Sequence, residues 1–247
     1  MTDPAAVVPA GPPVAITFDF WNTLVAENAQ GSHRHRRWLE VLVAHDIDVT
    51  PEQLTAAIEA GWHWFDQRWK ANVQVSTRQA VAAAMDHLPG AVPGDVVDEL
   101  ARVIVLGSDP DEMTVAPNIG DCLERLASAG MGIGIICDVG MTPSRTLRRY
   151  LDHHGLLSYF DHWSFSDEVG WYKPDPRIFA HASEGLGRPD PERTAHVGDL
   201  RRTDVAGARA AGWSSVRYRG LADDAAEGPE ADHVVDDHAA LPDLLGL

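Results

Sequence analysis

Positive charge, cysteine, lysine and long apolar runs are all scarce in this chain. Only 20 Lys and Arg stand against 37 Asp and Glu in 247 residues, a formal charge of −17 with histidine neutral. A surface that acidic repels nucleic-acid phosphates and has no basic stripe to follow a backbone, which excludes nucleic acid as a partner. No apolar run approaches the roughly 18 residues of a membrane-spanning helix, so no membrane partner is expected. Cys122 and Cys137 are the only cysteines, too few for a disulfide framework at this size. The N-terminal stretch up to Pro13 has neither a basic start nor a long apolar segment; no secretory signal is expected, and the expected location is cytoplasmic. Lysine occurs only as Lys70 and Lys173, every other cation being Arg. What the chain does have is material for a core. It is 45% hydrophobic with eight Trp, which argues against disorder.

Short apolar runs at 14–19, 132–137 and 194–199 suit strands buried on both faces, with shorter ones at 161–165, 214–218 and 233–235. Helical patterns lie between them at 119–129, 143–154, 176–186 and 203–211, with Gly130, Gly155, Gly187 and Gly212 as their closers. This alternation predicts an α/β fold with a doubly wound, parallel-sheet, Rossmann-like core. Residues 27–113 break it with four helical patterns, at 36–44, 51–69, 78–87 and 95–106. Thr50, Pro51 and Gln53 supply an N-cap, an N1 proline and a capping-box partner for the second of these. The expected organisation is therefore a core of 1–26 and 114–247 with a helical insert at 27–113.

In an open parallel sheet, ligands bind beyond the carboxyl ends of the strands. Those ends here carry Asp19, then Cys137 and Asp138, then Asp199, with Asp204 a turn further on. Taken singly, each Asp reads most simply as a helix N-cap or loop solvator. Together they bring several acids to one sheet edge, where they repel unless a cation holds them. Oxygen ligands suit Mg²⁺, a natural companion of a phosphate substrate. Lys173 sits in a turn-forming Gly170-Trp171-Tyr172-Lys173-Pro174-Asp175-Pro176 segment.

In this order the residues resemble the haloacid dehalogenase (HAD) superfamily of hydrolases. Phe18-Asp19-Phe20-Trp21-Asn22-Thr23-Leu24 matches the family's first motif at all but two places. The strand ending at Cys137, Lys173 with Pro174, and Gly198-Asp199-Leu200-Arg201-Arg202-Thr203-Asp204 match the other three. The resemblance implies that 27–113 is a cap domain and that Asp19 is a nucleophile forming an aspartyl-phosphate. It implies Mg²⁺ held by Asp19, the main-chain carbonyl of Trp21, Asp199 and Asp204. Lys173 would neutralise charge at the phosphate, Thr23 and Cys137 would hydrogen-bond phosphoryl oxygens, and Asp138 would complete the substrate-binding set. The expected partner is a small anionic phosphorylated substrate; the sequence leaves oligomeric state open.

Trp21 stands where phosphatases of the family carry an acid/base Asp, and indole cannot transfer that proton. Cys137 replaces a hydroxyl, and Asn22 replaces a glycine. Other readings follow from the Trp21 change: a metal-free 2-haloacid dehalogenase, a phosphonatase using Lys70, and a non-catalytic scaffold that binds a ligand or partner. If phosphoryl transfer holds, either the leaving group departs unprotonated or a cap histidine (His33, His35 or His63) supplies the proton. The basic run from His33 to Arg37 is either an anion site or a solvated helix end. Of the cap tryptophans, Trp62 and Trp69 share a helix face and are expected in the cap core, leaving Trp64 and Trp171 to line a cleft.

Overall fold

A computed structural model describes residues 11–27, 32–107 and 109–247; the side chains of 32–34, and with them His33, lie outside the described set. Six strands form one parallel sheet: β1 (Ala15–Phe18), β4 (Gly132–Cys137), β5 (His162–Phe165), β6 (Thr194–Gly198), β7 (Ser214–Tyr218) and β8 (His233–Val235), in the order β5-β4-β1-β6-β7-β8. Every strand of this sheet coincides, within two residues at the ends, with an apolar run of the sequence. Two further strands, β2 (Val25–Glu27) and β3 (Met113–Val115), pair antiparallel where the chain leaves and re-enters the core. No local pattern announces them, since three residues carry too little periodicity to read.

Helices cover both faces of the sheet. Alternation along β4 shows why: Ile133, Ile135 and Cys137 enter one cluster with Leu123, Leu126, Leu147 and Leu151, from α5 (Ile119–Ser128) and α6 (Ser144–His153). Ile136 points the other way, to Ile178, Phe179, Ala208 and Trp213, on and beside α8 (Pro176–Gly185) and α9 (Ala206–Ala210). Successive strand residues face opposite sides, so a strand apolar throughout demands cover on both. Short α7 (Ser166–Val169) follows β5, and α10 (Leu241–Leu244) ends the chain. Gly130 and Gly212, two of the expected closers, take φ of +74° and +75°, which a side chain would resist.

The insert folds as α1 (Ser32–Ala44), α2 (Pro51–Lys70), α3 (Thr77–Met85) and α4 (Gly94–Leu106) around its own cluster, which includes Trp38, Leu42, Leu54, Val81, Leu100 and Ile104. The capping box at Thr50 is present: Gln53 N donates to its hydroxyl at 3.2 Å, and Thr50 N donates to the Gln53 carbonyl oxygen at 2.9 Å. Ser76 and Gln79 repeat the device on α3. At the α2–α3 crossing a Cβ on Gly61 would lie 2.6 Å from the Ala84 Cβ, so the helices approach closer there than any side chain permits. Among the described residues no helix is long and apolar enough to cross a membrane.

Candidate active site

The strand order reverses between β1 and β6, and Asp19 and Asp199 leave the carboxyl ends of these two strands. That crevice is where an open α/β sheet binds ligands. Asp19 N donates to Val197 O at 2.8 Å, so the ladder holds the residue up to its own backbone. Beyond it the chain makes one tight turn, with Leu24 N and Val25 N both donating to Phe20 O and Asn22 at φ +55°. Asn is the side-chain-bearing residue that best tolerates this geometry, which accounts for its replacing glycine.

Asp19, Asp199 and Asp204 each offer one carboxylate oxygen, all within 4.8 Å of one another. Lys173 Nζ donates to Asp19 Oδ1 and Asp204 Oδ1, both at 2.5 Å, and only 3% of Lys173 is exposed. Asp204 also accepts from Leu200 N at 3.0 Å and from the Thr203 hydroxyl at 3.2 Å, and its Oδ1 lies 3.0 Å from His196 Nε2. His196 in turn meets the Thr17 hydroxyl at 2.8 Å, anchoring the carboxylate to the centre of the sheet. The glycine before Asp199 is required by this packing: a Cβ on Gly198 would lie 2.3 Å from Asp204 Cγ. Asn22 Nδ2 donates to Asp199 Oδ2 at 3.3 Å.

Three buried carboxylates thus face one ammonium. Burial pushes Asp19 up to about 7 against the pull of Lys173, and drives Asp199 well above the usual carboxylate range, with Asp19 and Asp204 adding repulsion. Burial acts the same way on Asp204, but Lys173 and His196 outweigh it and hold that carboxyl below its ordinary value. Burial also works against the Lys173 ammonium, yet Asp19, Asp204 and Asp138 hold its pKa well above the usual lysine value. The site is short of positive charge, and its donors are all oxygen. A divalent hard cation such as Mg²⁺ fits both facts.

The other expected residues divide. Thr23 is fully buried, with a hydroxyl that lacks a hydrogen-bond partner. Cys137 is buried in the core cluster and does not line the cleft; burial first, then Asp19, pushes its thiol well above the ordinary value. Asp138 does line the cleft, but both its oxygens are engaged, by Lys173 N at 2.8 Å and by Trp69 Nε1 at 2.7 Å. Burial pushes its pKa up to about 6. Trp21 lines the cleft, and its ring packs edge-on to Phe20 with centroids 4.9 Å apart.

The expectation for the cap tryptophans is reversed. Trp62 and Trp69 do share a face of α2, but it is the cleft wall, together with Phe65 and Asp66. Trp64 lies under the Arg68 guanidinium, 3.6 Å from its ring centre, and Trp171 under that of Arg177; neither lines the cleft. The side of α2 facing the cap core is already filled by Leu54, Ala57 and Gly61 at near-helical spacing, so the other apolar stripe meets the core domain. Trp69 fastens the two parts: it hydrogen-bonds Asp138, and Arg202 stacks on its ring at 3.9 Å. Asn72, just past α2, adds bonds to Asp175 and to Tyr172 N. His35 and His63 do not line the cleft, and His63 pairs with Gln67 instead. His196 had no assigned part in the sequence reading; a histidine inside an otherwise apolar strand is the one signal that marks it.

A doubly wound α/β core with an acid-rich, lysine-bridged centre at its switch point defines a class of hydrolytic enzyme scaffold. Residues 14–212 match the family model described as haloacid dehalogenase-like hydrolase, and the chain belongs to that family of hydrolases. It is 30% identical over 179 residues to the human haloacid dehalogenase-like hydrolase domain-containing protein 3, covering 70% of this chain and 69% of that protein. Over 138 residues it is 33% identical to a glyceraldehyde 3-phosphate phosphatase of Methanothermobacter thermautotrophicus, covering 52% and 58% of the two chains. Among solved structures, a HAD phosphatase of Thermococcus onnurineus superposes with a TM-score of 0.67 at 24% identity over 94% of this chain and 97% of that one. The magnesium-bound putative HAD-hydrolase YfnB of Bacillus subtilis gives 0.70 at 15% identity over 96% and 100%. A 2-haloacid dehalogenase of Pseudomonas syringae gives 0.66 at 23% over 95% and 98%. At these identities the structural likeness speaks for the fold alone.

Proposed function

We propose that the protein is a Mg²⁺-dependent phosphohydrolase that acts on a small anionic phosphorylated substrate through an aspartyl-phosphate on Asp19. The carrying observation is the buried Asp19 carboxylate, bridged to Asp204 by Lys173 and grouped with Asp199 at the switch point. Asp19, Asp199, Asp204 and the main-chain carbonyl of Trp21 would hold Mg²⁺. When bound, the metal supplies Lewis-acid stabilisation of phosphoryl charge. Asp19 attacks phosphorus, and Lys173 balances charge on the nucleophile and the phosphoryl oxygens as a compact ammonium. The partnerless Thr23 hydroxyl is a donor for a phosphoryl oxygen; the Cys137 thiol, buried in the core cluster, takes no part in that contact. Asp138, with both oxygens engaged, positions the Lys173 main chain rather than touching substrate. Residues 27–113 act as the cap over the cleft, excluding water. The phosphatase and nucleotidase names among the relatives support the reaction class.

Hydrolysis of p-nitrophenyl phosphate is expected with Mg²⁺, with loss on adding EDTA and in Asp19→Asn. Turnover that survives both changes overturns the proposal. The metal-free dehalogenase reading has one observation in its favour, the indole of Trp21 in the cleft. Against it, Asp199 and Asp204 repel a carboxylate substrate when no metal balances them. Halide release from 2-chloropropionate in EDTA decides for dehalogenation; its absence decides against.

A further inference from the structure

The cleft has a volume of about 440 Å³, within the usual range for small-molecule sites. Its cap-side wall is Trp62, Phe65 and Trp69, and Trp21 stands on the core side. Each indole is held in place: Trp69 by Asp138 and Arg202, Trp62 edge-on to Phe65, Trp21 edge-on to Phe20. Trp62 nevertheless remains 43% exposed, a large apolar surface facing the cavity. The same cavity has a defect of chemistry. The position of the family's acid is occupied by Trp21, and neither His35 nor His63 reaches the cleft. Of the acids at the wall, Asp66 is tied to Lys70 at 2.7 Å.

Aromatic walls and the lack of a cleft histidine among the described residues select the same leaving group. A phenol has a pKa near 10, as in tyrosine, and its oxygen departs as the anion far more readily than an alkoxide. Its ring offers the apolar, π-stacking surface that fixed indoles recognise. We infer that the substrates are phosphate monoesters of aromatic hydroxyls, with the ring seated among Trp21, Trp62 and Trp69. The inference rests on the phosphoryl-transfer reading of Asp19. In the reaction, a carboxylate oxygen of Asp19 bonds to phosphorus while the phosphorus–aryl oxygen bond breaks. The electron pair leaves on the phenolate, which takes its proton from solvent. Water then hydrolyses the aspartyl-phosphate, returning Asp19 and inorganic phosphate. Glu27 and Asp66 at the wall disfavour a second anionic group on the ring.

Three substrates separate the inference from the reading beneath it: phenyl phosphate, acetyl phosphate and glycerol phosphate. Acetyl phosphate needs no proton donor and carries no ring, so its Mg²⁺-dependent hydrolysis reports phosphoryl transfer alone. The expected order of kcat/KM places phenyl phosphate well above glycerol phosphate. In Trp62→Ala the ratio of kcat/KM for phenyl over acetyl phosphate is expected to fall about 3- to 10-fold, the size of one aromatic contact. Trp62→Phe, which keeps a ring, restores it. An unchanged ratio in Trp62→Ala, or glycerol phosphate turned over as fast as phenyl phosphate, overturns the inference and leaves the phosphatase reading standing. In the latter case a wall carboxylate donates the proton. Failure to hydrolyse acetyl phosphate overturns both.

Discussion

At the scale of single residues, the indole at position 21 is the feature on which the proposed phosphoryl transfer turns. It leaves intact everything the centre needs for attack: the Asp19 carboxylate, the Lys173 bridge and the three converging acids. On the phosphoryl-transfer proposal, what it removes is a proton donor beside the leaving oxygen, an interaction worth about 10²–10⁴ in rate. Trp21→Asp is therefore expected to raise kcat/KM for an alkyl phosphate by about 10²-fold, with a much smaller gain for p-nitrophenyl phosphate, which needs no proton. Equal gains for both substrates, measured by phosphate release, contradict the missing-acid argument. His196 illustrates how a second residue supports the first. Burial keeps its pKa below the ordinary value despite Asp204, and it links Asp204 to Thr17 within the sheet.

Among elements, α2 carries the most function. One stripe of it closes the cap core and closes tightly, with Gly61 against Ala84. The adjoining stripe walls the cleft and reaches Asp138 through Trp69. A second element that braces the centre from behind is the turn His238–Ala240 near the C-terminus. His238 is fully buried, stacks on Tyr218 at 4.1 Å and donates from Nε2 to Thr23 O at 2.8 Å. Burial lowers its pKa to about 4. Below the unfolded value of about 6.5 the unfolded imidazole takes a proton that the folded one refuses, so this group's contribution to stability declines as pH falls from about 6.5 to about 4, by about 3 kcal/mol in all. His238→Gln retains a donor for the Thr23 carbonyl and removes the titration. Urea unfolding at stepped pH is expected to show a flatter dependence over that interval in the variant. An unchanged slope shows that His238 does not carry it.

For the whole molecule the dominant quantity is charge. At −17 the global field opposes an approaching anion, and on the phosphatase proposal Lys173 and a bound cation would supply the attraction within the cleft. Salt screens the long-range repulsion more than the buried local attraction. Raising NaCl from about 20 to about 200 mM is thus expected to increase kcat/KM for a phosphate monoester, by severalfold and through KM. A fall with salt shows instead that a basic surface guides the substrate.

At the same scale, two kinds of information separate. Lys173 and Asp204 were singled out by the resemblance to the HAD motifs; the convergence of Asp19, Asp138 and Asp199 was legible because a strand buried on both faces is a local pattern, and the residue at its carboxyl end must lie at the sheet's edge. The capping box at Thr50 was legible for the same reason: its partners are three residues apart. Trp62 and Trp69 were correctly placed on one helix face, yet the face was assigned to the wrong neighbour. Periodicity says which residues lie together; what they pack against depends on segments far along the chain, here Asp138 and Arg202. The β2–β3 pairing and the bracing of Asp204 by His196 escaped notice likewise, since both depend on contacts made by folding. Local chemistry written along the chain therefore specified which side chains gather at the sheet edge, while the walls of the cleft arose only when the insert met the core, because those contacts join segments far apart in sequence.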